Sequence, residues 1–289
     1  MFDKKELLYR VWFARVEISN KVKRFLLDKY TEEEIFKFDV DELSEKGLTD
    51  NQVLKILDVK YKIDMDEILI KQISEGIKQI KYTDNLYPSL LREIPDCPVY
   101  IFAKGDISIL QNDSYAIVGS RKSSLSGIKI ARSLAYKIAK ENINVVSGLA
   151  YGVDTASHIG ALDYKYGKTI AVLGNGLLES DVYPKENLRL FREIIARGGL
   201  VVSEYIIGTK PEKYHFPARN RIISGLSKKV IVIEAGIKSG SLITVDFALE
   251  QGRDVYAVPG NILDTNSKGV NNLIKEGAKL LDCYEDLID

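Results

Sequence analysis

The chain has little of what most catalytic centres are made from. Its 289 residues include two cysteines, Cys97 and Cys283, and two histidines, His158 and His215. Two cysteines this far apart exclude a disulfide framework and a zinc cluster, and two histidines argue against a histidine-based metal site. Neither sign of charge is in excess, since 41 Lys+Arg balance 41 Asp+Glu. Any polyanion must therefore be met by a local patch, because the whole molecule offers no attracting field. No run of about 18 apolar residues occurs, which excludes a helical membrane span. The opening Met-Phe-Asp-Lys-Lys-Glu lacks the apolar core of a signal peptide. The expectation is a reducing, cytoplasmic setting with no membrane partner.

What the chain does have is a hydrophobic content of 45%, enough for a large core and two domains. Residues 1–80 contain no proline, and Gly47 and Gly76 are their only glycines. Apolar residues recur there at helical spacing: Leu7, Leu8, Val11 and Trp12, then Val22, Phe25 and Leu26, then Val53, Leu54, Ile56 and Leu57. Thr31 ahead of Glu32-Glu-Glu34 is a helix start with an acidic first turn. The pattern predicts a small all-helical domain of four or five helices with a scaffolding or interaction role. Its 15 basic and 17 acidic residues give it no electrostatic grip on DNA.

From Tyr82 the character changes, and residues 81–289 read as a second domain. Val99–Phe102 is a short strand. Beyond it, apolar runs alternate with helix-length segments: Tyr115–Val118, Asn144–Val146, Thr169–Leu173, Leu200–Val202, Val230–Ile233 and Val255–Val258. The runs are β-branched and apolar throughout, as parallel strands covered on both faces should be. Helices lie between them, as at Gly127–Lys140 and Thr244–Glu250. The prediction is a doubly wound α/β sheet, whose ligands bind beyond the carboxyl ends of the strands. Small-residue turns cluster at those ends: Gly119-Ser120-Arg121, Ser147-Gly148-Leu149, Gly174-Asn175-Gly176, and Glu234-Ala235-Gly236 running on to Ser239-Gly240-Ser241. Each can bring backbone N–H groups close to a phosphate, so together they suggest an extended phosphate-binding rim.

The stretch Lys213–Leu226 adds cations and an aromatic. Lys213, Arg219 and Arg221 surround Phe216 and Asn220. Pro217 predicts an extended or turn conformation at Phe216 and a helix from Ala218, with the proline at its start. A helix N-terminus beside cations is an anion site, and a neighbouring ring offers an unpaired base a stacking platform. The competing reading is a loop with Phe216 in the core and its charges solvated.

Catalytic motifs are incomplete. Gly167-Lys168-Thr169 precedes a strand, where a phosphate loop would follow one. Gly174-Asn-Gly176 begins a dinucleotide fingerprint, but Glu179 stands where the third glycine belongs. His158 lies in a helical segment as a structural histidine. Asp154 and Glu234 stand at strand ends, where either acid–base chemistry or helix capping accounts for them. We assign no catalytic residue, no metal ligand and no cofactor.

Taken in order, Ala116-Ile-Val-Gly-Ser-Arg121, Val146-Ser-Gly-Leu-Ala-Tyr-Gly-Val-Asp154, Ala171-Val-Leu-Gly-Asn-Gly176, Tyr183-Pro-Lys-Glu-Asn187, Phe216-Pro-Ala-Arg-Asn-Arg-Ile-Ile-Ser-Gly-Leu226, Ser239-Gly-Ser-Leu-Ile-Thr244 and Ala257-Val-Pro-Gly260 resemble the DNA-processing protein A family, DprA or Smf. The likeness spans roughly residues 82–282. It implies an extended Rossmann-like domain after a sterile-alpha-motif-like (SAM-like) helical domain. It also implies a homodimer that needs no nucleotide cofactor. The implied function is that of a non-enzymatic recombination mediator of natural transformation. Such a protein binds and protects incoming single-stranded DNA, helps displace single-strand-binding protein and loads the RecA recombinase. By position, Arg121 holds a phosphate, Lys185 is a second basic contact, and Lys213 and Phe216 line a base pocket beside Arg219, Asn220 and Arg221. Gly119, Ser120, Ser147, Gly148, Ser239, Gly240 and Ser241 complete the DNA-binding set. The helical domain departs from the family pattern, with Glu17-Ile-Ser-Asn-Lys21 where a glycine-containing hairpin turn is common. A different class, enzymes that hydrolyse nucleoside monophosphates on a related fold, uses a Pro-Gly-Gly-x-Gly-Thr loop. Here that turn reads Glu234-Ala-Gly-Ile-Lys-Ser-Gly240.

Overall fold

A computed structural model describes residues 4–288. Six helices come first: α1 (Lys4–Arg15), α2 (Asn20–Leu27), α3 (Glu32–Lys37), α4 (Val40–Glu45), α5 (Asp50–Lys62) and α6 (Met65–Ser74). That is one or two more than the periodicity predicts, because α3 and α4 have only six residues each, less than two turns. Both are defined by their caps. Thr31 and Glu34 form a reciprocal capping box, as do Asp39 and Glu42.

Nine strands follow: β1 (Ile77–Lys81), β2 (Tyr100–Gly105), β3 (Ser114–Val118), β4 (Asn144–Ser147), β5 (Thr169–Leu173), β6 (Leu200–Ser203), β7 (Lys229–Val232), β8 (Asp254–Ala257) and β9 (Lys279–Leu280). They form one sheet in the order β1-β2-β6-β5-β4-β3-β7-β8-β9. The β1–β2 and β2–β6 pairs are antiparallel and the rest are parallel. All six apolar runs are strands of the parallel block. Helices α7 (Ser89–Arg92), α8 (Leu125–Lys140), α9 (Val153–Asp163), α10 (Leu188–Ala196), α11 (His215–Gly225), α12 (Gly240–Glu250) and α13 (Lys268–Lys275) cover its faces. The fold is an α/β, doubly wound, mostly parallel sheet preceded by a helical bundle.

Strand alternation sorts the core. Ala116, Val118, Val230 and Val232 pack with Ile222, Ile223, Val245 and Ala248 of α11 and α12. Ile117, Val145 and Ile231 face the other way, against Ala131, Ala135, Ile138 and Val153 of α8 and α9. On that second face the bundle continues the helical layer. Val11, Trp12, Phe13, Leu26 and Ile35 share one core with Phe102, Leu173, Val201 and Phe191.

The strand order also fixes where a ligand can enter. From β3 the chain winds outward in one direction through β4, β5 and β6, then returns to the other side of β3 with β7 and β8. The reversal lies between β3 and β7, so their carboxyl ends diverge and leave a crevice.

Candidate nucleic-acid interface

That crevice is a cleft of about 790 Å³ at the ends of β3 and β7. Ten of the fourteen predicted residues line it: Gly119, Ser120 and Arg121 after β3, Lys213, Phe216, Arg219 and Asn220 at the start of α11, and Ser239, Gly240 and Ser241 at the start of α12. Lys122, Tyr183 and Lys238 join them. Arg121, Lys122, Lys213 and Lys238 are exposed, and none makes an ion pair among the described residues. In a chain of zero net charge, these four uncompensated cations at one opening make the local patch that a polyanion requires.

Helix α11 starts at His215, earlier than the proline suggests, so Phe216 is helical and Pro217 is its third residue. The first four N–H groups of a helix have no partner within it, so a proline this early removes no helical hydrogen bond. Residues three and four apart share a helix face, which brings Phe216, Arg219 and Asn220 to the cleft together. The Phe216 ring is half-buried. Its centroid is 5.5 Å from that of Tyr183, and the Arg121 guanidinium carbon lies 5.7 Å away. The proximity of cation to ring stabilises this exposed arrangement by about 0.5–1 kcal/mol. It also holds a positive charge next to an aromatic surface. Asn220 donates to the Gly240 carbonyl at 3.3 Å, tying α11 to the start of α12. Ser239 caps α12, and a Cβ at Gly240 would meet nothing within 4 Å, so the helix N-terminus is open to an incoming anion.

Arg219 differs from the other cations. It is 4% exposed, and its Nη1 donates to the carbonyls of Gly148 (2.8 Å) and Val172. Burial lowers its pKa to about 10 against the pull of Asp154, and Arg121 adds to the lowering. Asp154 accepts from the Gly148 and Ala150 N–H groups at 3.1 and 3.3 Å. Burial raises its pKa, opposed first by Arg219. This pair forms the floor of the cleft.

Four predicted contacts lie elsewhere. Arg221 is two residues from Arg219, hence on another side of the helix. It donates to Asp96 at 2.8 Å and Glu204 at 2.7 Å. Burial opposes its charge, but the two carboxylates outweigh that and raise its pKa. Ser147 is fully buried, with its hydroxyl on the Ile117 carbonyl at 2.7 Å. Gly148 is glycine for packing, since a Cβ would lie 2.7 Å from Arg219 Nη2 and 2.8 Å from Asp154 Oδ2. Lys185 is exposed outside the cleft, its Nζ on the Ser180 carbonyl at 2.5 Å. The rim is correspondingly shorter than predicted. Asn175 is fully buried and Gly174 lies beneath Phe216, so only the turns after β3 and β7 open outward.

The remaining polar groups are committed to structure. Glu234 accepts from Ser123 Oγ and the Ser124 N–H at 2.8 and 2.9 Å, and so caps α8, a helix far from it in sequence. The Thr169 hydroxyl donates to the Val145 carbonyl, so it accepts from His158 Nδ1–H at 2.7 Å. Full burial lowers the pKa of His158 to about 3, so it is a neutral structural histidine. Tyr183, Lys122 and Lys238 are among the cleft residues that sequence reasoning did not assign. Tyr183 stood in the quoted Tyr-Pro-Lys-Glu-Asn motif, and the two lysines flank turns already singled out.

Comparison with known proteins places this geometry. The family model for DNA recombination-mediator protein A matches residues 78–289. The chain belongs to that family. Among members of the DprA family, the Streptococcus pneumoniae DNA processing protein DprA is 42% identical, over 88% of this chain and 98% of its own length. The Bacillus subtilis DprA is 41% identical, over 78% of this chain and 75% of its own. The X-ray structure of the S. pneumoniae DprA superposes with a TM-score of 0.84 at 40% identity, covering 97% of this chain and 96% of that one. The Helicobacter pylori DNA processing protein A, whose structure was described for its single-stranded DNA binding mode, superposes at 0.66 with 29% identity. That match covers 73% of this chain and 94% of the other.

Proposed function

We propose that the cleft between β3 and β7 binds single-stranded DNA. The observation that carries this reading is the half-buried Phe216 ring, backed by Tyr183 and Arg121, among unpaired cations. Phosphates sit at Arg121, Lys122, Lys213, Lys238 and the N-terminus of α12, while an unstacked base covers the ring. Duplex DNA keeps its base faces in the stack and cannot use that ring. Membership of the recombination-mediator family supports a role as mediator: a cytoplasmic homodimer that shields incoming strands, displaces single-strand-binding protein and loads RecA during natural transformation.

The protein acts without catalysis. Asp154, the carboxylate that lines the cleft, is held by backbone N–H groups and by Arg219, and Glu234, just beyond β7, is held by Ser123 and Ser124, so neither is a free base. The test is a titration of a labelled oligothymidylate, a duplex of equal length and a panel of nucleoside monophosphates on one preparation. The expected result is salt-dependent binding of the single strand, much weaker binding of the duplex and no hydrolysis. Equal affinity for both DNA forms, or turnover of a monophosphate, would reject the reading.

A further inference from the structure

The outer edge of the sheet carries a groove that plays no part in the cleft. Strand β1 is the last strand on its side. Tyr82 N–H donates to the Val99 carbonyl at 2.9 Å. In this antiparallel ladder the even-numbered residues of β1 therefore turn their backbone groups to β2, and Ile77 and Gln79 point theirs outward. Lys81, in the same phase, donates its N–H outward to Asp84 Oδ2 at 2.8 Å. Among the described residues, nothing pairs with the outward groups of Ile77 and Gln79.

This edge lies along a groove of about 600 Å³. Leu69, from the core shared with the bundle, and Ile107, packed against the core of the other face, both line it, so the groove straddles the edge. Apolar side chains stand open at its rim, Ile73 63% and Leu86 43% exposed, with Thr83, Asp84 and Asn85 beside Leu86. Gln72 and Gln79, 2% and 8% exposed, also line it, and each keeps a buried Oε1 with no donor. Lys78 is exposed at the groove and has no ion-pair partner.

We infer that this groove receives an extended peptide strand from a partner protein, with apolar side chains at alternate positions and an acidic residue opposite Lys78. A strand is the ligand whose backbone supplies both donors and acceptors to Ile77 and Gln79, and alternation sends its side chains to the two apolar walls. Five residues of β1 offer an edge about 17 Å long, enough for a short linear segment. A second copy of the chain would have to bring its own groove walls between the two edges, which favours a narrow peptide. Open edges are normally blunted by charge or covered; here Asp84 covers the outward N–H of Lys81, and Lys78 is the exposed charge beside the open groups of Ile77 and Gln79.

The probe is a library of labelled eight-residue peptides with Val, Ile, Leu or Phe at alternate positions, Thr between them and one Asp at a varied place. Members should bind the full chain saturably and slow hydrogen exchange at the Ile77 and Gln79 amides. Methylating alternate backbone nitrogens of the best binder should abolish binding. Ile73→Asp, at an exposed position, should weaken it about tenfold or more while single-stranded DNA affinity stays the same. The inference is overturned if no member binds, or if binding survives backbone methylation. It is equally overturned if Ile73→Asp dissociates a dimer in sedimentation, because a second copy would then be the occupant.

Discussion

At the scale of single residues, charge and ring separate cleanly. Arg121→Ala should weaken single-stranded DNA binding for every sequence. It should also reduce the slope of log K against log salt by about 0.7, the share of one phosphate. Phe216→Ala should cost about 1–3 kcal/mol of binding, leave the slope unchanged and shrink the preference for single strands. A urea midpoint on each variant guards the comparison. Were Phe216 only packing, its variant would melt early and bind normally. His158 gives a pH signature of a different kind. Burial, helped by Arg219, lowers its pKa from 6.5 to about 3. The unfolded chain therefore takes up a proton first, and stability present above pH 6.5 is lost as pH falls through that window. At about 1.4 kcal/mol per unit, the loss between pH 7 and 5 is about 2 kcal/mol. His158→Gln should flatten this part of the stability–pH curve, and an unchanged curve would assign the acid sensitivity to other groups.

Among the elements, what was legible follows from burial. The parallel strands are covered on both faces and so read as continuous apolar runs. Strand β1, Ile77-Lys-Gln-Ile-Lys81, lies at an edge, and its two lysines and glutamine mask it. In α11 the residues were legible but their directions were misjudged. Positions 219 and 221 are separated by about 200° around a helix, so both arginines cannot face one ligand. The structure gives Arg219 to the cleft floor and Arg221 to Asp96 and Glu204, both of which also accept from Asn20 of α2, at 3.3 and 2.8 Å. Arg221 thus joins α11 to the bundle. Arg221→Ala leaves Glu204 without its buried partner and should lower stability by about 3 kcal/mol, the low end for such pairs because Asp96 is half-exposed. The DNA affinity of the folded variant should stay within twofold of the parent. A large loss of affinity at full stability would return Arg221 to the binding surface.

Over the whole molecule, composition suggested two domains, and the structure shows that they share one core. Glycine and proline usage changes near residue 80 because the helical segment needs neither, yet such a change does not reveal which faces are apolar. Trp12 and Phe13 are fully buried in the same cluster as Phe102 of β2 and Phe191 of α10. Polar ties also join the helical bundle to the rest of the molecule. Arg15 donates to the Ile207 carbonyl at 3.0 Å, Tyr100 donates to Glu32 at 2.6 Å, and Gln79 donates to the Arg10 carbonyl at 3.0 Å. A bundle held in this way should not melt alone. Trp12 is the only tryptophan in the chain, so its fluorescence reports on the bundle, while far-ultraviolet circular dichroism reports on every helix and strand. If the shared core makes one cooperative unit, the two urea transitions should coincide in midpoint and slope. A fluorescence transition that precedes the loss of ellipticity would show the bundle unfolding first. The contacts of Asn20, Arg15 and Glu32 would then be adhesion between two independent units.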